Sequence, residues 1–168
     1  MSAFVGLGAN IDNPRWQLQR AVIRLAALPE TRFIRCSSLY ASSPMGPLDQ
    51  PDFLNAVAHL ETRLAAISLL TELQTIECRQ GRQRRRHWGE RTLDLDLLVF
   101  GEHQLSSARL TLPHPGLAER PFVLEPLMEI APELNLPGLG ALADLAVAGF
   151  GGGPKGSLER VHPPPIPA

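Results

Sequence analysis

Lysine is all but missing from this 168-residue chain: of its 16 basic residues only Lys155 is a lysine, and the rest are arginine. Acids number 17, so the net charge is −1. The cationic excess with which a general nucleic-acid or polyanion binder displaces counterions is therefore absent. Cysteine is scarce too. Cys36 and Cys78 are too few for a disulfide framework, and neither lies in a CxxC pair. No apolar run has the length of a membrane span, and Met1 to Gly8 lacks the basic start of a secretory signal. Familiar nucleotide loops are missing as well. Gly6-Leu7-Gly8 has Ile11 where a GxGxxG needs its third glycine, and no GxxxxGK[ST] occurs. No nucleophile elbow or zinc-ligand spacing is present. With 44% hydrophobic and 20% charged residues, the chain is expected to be one soluble, cytoplasmic domain with a sizeable core. Neither nucleic acid nor membrane is expected as a partner.

What is present reads as alternating strands and helices. Ala3 to Gly8 is an apolar opening strand. Asn13-Pro14 is an N-cap followed by proline at the first helical position. Leu18, Ala21, Val22, Leu25 and Leu28 then recur at helical spacing up to Pro29. Thr31 to Ser42 reads as one strand, and the segment 43–51, with three prolines, as a loop. Phe53 to Glu61 alternates with period two, and Ile67, Leu70, Leu73, Gln74 and Glu77 lie along a second helix ending near Gly81. Thr92 to Phe100 is the next strand. A helix is expected from Leu117 to Glu129 and a weak one from Ala141 to Ala148. The segment 149–168 holds five glycines and five prolines, and is expected to be a disordered tail beyond a 1–148 domain. The order β-α-β-β-α-β predicts an α+β fold: a split βαβ, ferredoxin-like antiparallel sheet with helices on one face, an α/β sandwich.

Two features carry chemistry. In Leu93-Asp94-Leu95-Asp96-Leu97 the leucines share one face of a strand and the aspartates the other, about 7 Å apart. Such a pair is either a solvated acidic face or a hard-oxygen site suited to Mg²⁺, which keeps open positions for water and phosphate. Just upstream, Arg79, Arg82, Arg84, Arg85, Arg86 and Arg91 crowd one segment whose only acid is Glu90. Guanidinium forks bind phosphate oxygens bidentately, so arginines beside two carboxylates describe a polyphosphate clamp. His114 and Arg120 are candidate additional donors.

The segments GLGANIDNP, SSPMGPLDQPDFLNAV, IECRQGRQRRRHWGERTLDLDLLVFG and LTLPHPGLAERPFVLEPLMEIAPEL resemble the signatures of the 6-hydroxymethyl-7,8-dihydropterin pyrophosphokinase family, in the family's order, from Ala3 to about Leu145. The resemblance implies transfer of pyrophosphate from MgATP to the hydroxymethyl group of the reduced pterin, with release of AMP, in folate biosynthesis. It implies two Mg²⁺ ions on Asp94 and Asp96, and phosphate-binding arginines at Arg82 and Arg91. These four are the catalytic set. Further ATP contacts fall on Leu70, Gln74, Glu77, Arg84, Trp88, Leu97, Arg109, Thr111, His114 and Arg120. The pterin pocket falls on Ser42, Ser43, Pro44, Met45, Gly46, Phe53, Asn55, Asp94 and Phe122, the two phenylalanines sandwiching the ring. The arginine loop is expected to close over ATP, and the enzyme to be a monomer. The chain departs from the family pattern at Ala9, Ser43 and Glu90, none of them a metal ligand. A non-catalytic nucleotide sensor and an RNA-binding module are the competing readings. The second is short of exposed aromatics, since only nine aromatic residues exist.

Overall fold

The computed structural model describes residues 1–43, 49–81, 92–150 and 158–162. Strand β1 (Ser2–Ala9) leads into helix α1 (Pro14–Ala26), where Asn13 caps the first turn through its Oδ1, which accepts the Trp16 amide at 3.3 Å. The expected single strand over 31–42 is two strands, β2 (Thr31–Cys36) and β3 (Leu39–Ser42), broken at Ser37-Ser38. The break is enforced by side-chain bonding. The Ser37 hydroxyl takes the Val57 amide at 2.9 Å, and Glu129 takes the Ser38 amide and hydroxyl. Then come β4 (Phe53–Thr62), helix α2 (Ala66–Arg79) and β5 (Asp94–Phe100).

Two short pairings, β6 (Leu105–Ser106) with β7 (Thr111–Leu112), and β8 (Asn135–Leu136) with β9 (Gly140–Ala141), flank the second helical region. The expected helix over 117–129 is a 3-10 turn, Leu117–Glu119, followed by α3 (Pro121–Ile130). Pro121 forces the preceding Arg120 into extended backbone, φ −117° and ψ 102°, which ends the first turn. Helix α4 (Leu142–Phe150) follows, starting one residue later and ending two residues later than the weak helix expected there.

The main sheet is antiparallel in the order β3-β4-β1-β5, with β2 also on β4 and a last strand, β10 (Leu158–His162), on the outer side of β3. Strand β10 lies in the segment for which composition predicts no order. A sheet edge offers unpaired amides and carbonyls that even a Gly/Pro-rich tail can satisfy with five suitable residues.

Helices cover both faces, where the sequence reading places them on one. Leu18, Leu25, Leu69 and Leu73 of α1 and α2 pack with Val5, Leu7, Leu60, Leu95 and Leu97 beneath the sheet. Val123, Leu124 and Leu127 of α3, with Leu142 of α4, pack with Phe4, Val57, Leu98 and Val99 above it. The upper core needs two adjacent apolar residues on one face of β5. A bulge supplies them: Val5 pairs with Leu97 and Phe4 with Val99, so Leu98 is the extra residue. Strict alternation in LDLDL thus gives way to a run, LLVF, buried on both sides.

Candidate active site

The upper face changes character along the strands. Toward Phe100 it is filled by the upper core. Toward Asp94 it carries Phe53 and Asn55 from β4, Gly6 and Gly8 from β1, and Asp94 and Asp96 from β5. Gly8 lies between Asn55 and Asp94, and Gly6 between Val57 and Asp96. With no side chain from β1 on this stretch, the middle of the sheet is a shallow floor walled by an amide on one side and carboxylates on the other. A Cβ on Gly8 would meet Asn55 Oδ1 at 3.5 Å, and one on Gly6 would meet Leu98 at 3.5 Å.

Asn55 is 5% exposed and fixed. Its Nδ2 donates to the Ser42 hydroxyl at 2.7 Å and to the Tyr40 carbonyl at 3.2 Å. The Tyr40 hydroxyl in turn donates to Glu129 of α3 at 2.6 Å. The structure therefore brings Ser42, Asn55 and Phe53 together, with Ser43 following directly, and Phe122 stands above the same face on α3. Phe53 and Phe122 are both half-buried, as ring-stacking residues open to a ligand must be.

A second wall comes from the loop before α3. The His114 amide donates to the Leu98 carbonyl at 2.8 Å, anchoring this loop on the bulge of β5. His114 Nδ1 accepts the Gly116 amide at 3.1 Å, which leaves Nε2 as the ring's proton-bearing donor. Burial, then the Arg120 charge, pushes the imidazole down to about 4 against the opposing pull of Asp94, so the ring is neutral at physiological pH. The Arg120 guanidinium lies 5.9 Å from the Phe122 ring centroid. A Cβ on Gly116 would sit 2.6 Å from Arg120 Nε, so that glycine makes room for the guanidinium.

The residues expected on the nucleotide side gather around the outer edge of β5. Leu70 and Gln74 lie on α2, and Arg109 reaches the same helix through Nη2, 3.3 Å from Thr71 Oγ1. Thr111 lies opposite Ser106 in the short β6–β7 pairing. Two expected contacts are turned inward. Leu97 is 2% exposed in the lower core, so only its backbone faces a ligand. Glu77 is 3% exposed, and its Oε2 accepts the Leu95 amide at 2.8 Å. Pro44, Met45, Gly46, Arg82, Arg84, Trp88 and Arg91, with the expected arginine lid, lie outside the described residues.

Asp94 and Asp96 are half-buried on the upper face, while Leu93, Leu95 and Leu97 fill the lower core, as the alternation predicts. Among the described residues no group of three or more His, Cys, Asp or Glu forms a metal cage. Two carboxylates beside an open floor suit Mg²⁺, which takes one or two protein oxygens and completes its octahedron with water and phosphate.

Sequence reasoning missed one lock. Asn10, 2% exposed, donates from Nδ2 to Gln50 Oε1 and to the Pro51 carbonyl, both at 3.0 Å, joining the loop after β1 to the loop before β4. Two amides inside GLGAN and LDQPDF carry no periodicity, so only their shared presence in the motifs could have flagged them.

The sequence profile of the 7,8-dihydro-6-hydroxymethylpterin-pyrophosphokinase family matches residues 4–132. The chain belongs to this family. Pyrophosphokinase relatives in Haemophilus influenzae and Pseudomonas aeruginosa, each a 2-amino-4-hydroxy-6-hydroxymethyldihydropteridine pyrophosphokinase, are 47% and 50% identical over 145 residues. That is 86% of this chain, and 91% and 90% of theirs. Among solved structures, Plasmodium falciparum HPPK-DHPS with pterin and p-hydrobenzoate superposes with a TM-score of 0.67 at 14% identity, over 88% of this chain. The chain spans 44% of that longer polypeptide, and the likeness shows the pyrophosphokinase fold alone. It covers a mixed α/β sandwich with an antiparallel sheet, as the sequence predicts. Strand β10 lies beyond the residues that the family profile matches.

Proposed function

We infer that the chain transfers the pyrophosphoryl group of ATP to the hydroxymethyl oxygen of 6-hydroxymethyl-7,8-dihydropterin, as an Mg²⁺-dependent enzyme of folate biosynthesis. The observation that carries this reading is the floor of Gly6 and Gly8, with Asp94 and Asp96 on one side and Asn55, Phe53 and Ser42 on the other. A flat heterocycle lying on the Gly8 side meets Phe53 and Phe122 with its faces and Asn55 with its polar edge. Its hydroxymethyl arm then points along the floor toward the aspartates.

In the transfer, the hydroxymethyl oxygen attacks the β-phosphorus of ATP. The new O–P bond forms as the bond from that phosphorus to the α,β-bridging oxygen breaks. AMP departs, and the hydroxyl proton passes to solvent. Asp94 and Asp96 would hold two Mg²⁺ ions, which neutralise charge on the phosphate chain when bound. His114, neutral and donating from Nε2, and Arg120 stand within the same wall to receive phosphate oxygens. Arg82 and Arg91, outside the described residues, are assigned phosphate binding and Arg84 and Trp88 further ATP contacts from the family motif they match. Leu70, Gln74, Arg109, Thr111 and the backbone at Leu97 line the nucleotide side. No side chain is required to bond covalently to the transferred group, so catalysis rests on positioning and charge.

The chain is proposed to act as a cytoplasmic monomer without nucleic acid. Among the described residues no helix is long and apolar enough to cross a membrane. The relatives favour neither the RNA-binding module nor the non-catalytic sensor. The test is one incubation with ATP, Mg²⁺ and the pterin alcohol, followed by nucleotide chromatography. AMP should appear in step with pterin pyrophosphate while ADP stays at background. ADP as the main product would reject pyrophosphoryl transfer.

A further inference from the structure

Glu77 is an odd residue for its place. It sits in the last turn of α2, where the helix dipole disfavours negative charge, and it is 3% exposed, where an ionised carboxylate is costly. A residue that breaks two local rules is held by something the fold gains from it. The gain lies on β5, the terminal strand of the main sheet on the side away from β10. On its inner side Asp94 and Asp96 are registered against Gly8 and Gly6 of β1. The amide between them, that of Leu95, is instead taken by Glu77 Oε2 at 2.8 Å.

We propose that Glu77 is a positioning residue for the two aspartates: by holding the Leu95 amide from below, it fixes the strand backbone from which both carboxylates rise. The proposal rests on the metal-site reading of Asp94 and Asp96, and differs from it in assigning Glu77 no contact with nucleotide. The supporting group acts from outside the ligand shell, where partners of metal ligands exert their effect. Leu93, Leu95 and Leu97 anchor the same strand in the lower core, but apolar packing fixes side-chain volume rather than the tilt of a single peptide plane.

Two substitutions separate the acceptor from the charge. Glu77→Gln keeps a side-chain carbonyl at the same reach and removes the charge. Glu77→Asp keeps the charge and withdraws the oxygen by one methylene. Leu95 amide exchange in the metal-free protein is the direct readout, and the Mg²⁺ concentration giving half-maximal AMP release is the functional one. Glu77→Asp should expose the Leu95 amide to exchange at least ~10-fold faster. It should also raise the Mg²⁺ midpoint and lower kcat by roughly 10- to 100-fold, as loss of a group behind a metal ligand does. Glu77→Gln should stay within about threefold of wild type in both readouts. The reverse order, Asp sound and Gln impaired, would show that charge matters and overturn the proposal. So would a rise in the KM for ATP alone with the Mg²⁺ midpoint and Leu95 exchange unchanged, which is the mark of a direct nucleotide contact. Wild-type AMP release serves as the separate check on the underlying reaction.

Discussion

Asp94 and Asp96 show how one residue choice divides between folding and function. Each alternates with a leucine that fills the lower core, and each points to the face left open by Gly6 and Gly8. Replacing either by asparagine keeps the shape and removes the charge that a divalent cation requires. Asp94→Asn and Asp96→Asn are each expected to lower kcat by at least about 10³-fold, the scale on which loss of a cation-binding charge acts in phosphoryl transfer. Since neither side chain is packed in a core, Tm should shift by no more than about 3 °C. Product analysis with thermal denaturation checks both halves, and a variant that loses the fold along with activity would contradict the open-face placement. The alternation that licenses this prediction was legible from LDLDL alone. The burial of Glu77 was not. Helical spacing puts it on α2, but whether a position near a helix end faces a neighbouring strand or a ligand depends on how the helix docks. The inward turn of Leu97 was legible, since its parity with Leu93 and Leu95 already places it in the core.

Elements follow the sequence where a strong local signal exists. The Asn13-Pro14 cap starts α1, and period two runs through β4. Boundaries fail where a distant side chain intervenes. Glu129 reaches back from α3 to the Ser38 amide and the Tyr40 hydroxyl, and so splits one expected strand into β2 and β3. That distance in sequence, 91 residues from Ser38 to Glu129, is beyond any local pattern. Strand β10 is the other case. It pairs Leu158 with Ser42, Glu159 with Ala41 and Arg160 with Tyr40, covering the edge from which the Ser42 hydroxyl contacts Asn55. In the double variant Glu159→Pro, Arg160→Pro, one of the two lost amides necessarily faces β3, because successive strand amides point to opposite sides. Whichever amides of Tyr40 to Ser42 face β10 should then exchange faster, with the β4–β1 pairing unaffected. Unchanged exchange across β3 would mean that β10 contributes nothing to holding this edge.

At the scale of the whole molecule, acid should act on the fold through the wall that His114 builds. Its folded-state pKa lies near 4, below the ordinary 6.5, because burial and the Arg120 charge oppose the imidazolium. The unfolded chain therefore binds the proton more readily. The stability contributed by the neutral ring is fully present above pH 6.5 and falls progressively as pH drops toward 4. Allowing for the partial solvent access of the ring, the loss is roughly 1–3 kcal/mol. Denaturant unfolding of wild type and His114→Asn across that range should show a shallower pH slope in the variant. Parallel slopes would remove the histidine from the account. His59 shares in the acid response, since burial lowers its pKa as well where it stacks on Phe4, and it remains in both proteins.

Composition, strand alternation and the motif segments by themselves determined the α+β class, the two aspartates on one face, and the family to which the chain belongs, because each depends on residues close together along the chain. Only the tertiary structure decided that both faces of the sheet are covered, that the Glu77 carboxylate accepts the Leu95 amide, that Asn10 and Gln50 lock two loops together, and that β10 pairs with the outer side of β3. Those are contacts between residues far apart in sequence. Their partners are chosen by how the layers dock, and no spacing along a chain encodes that.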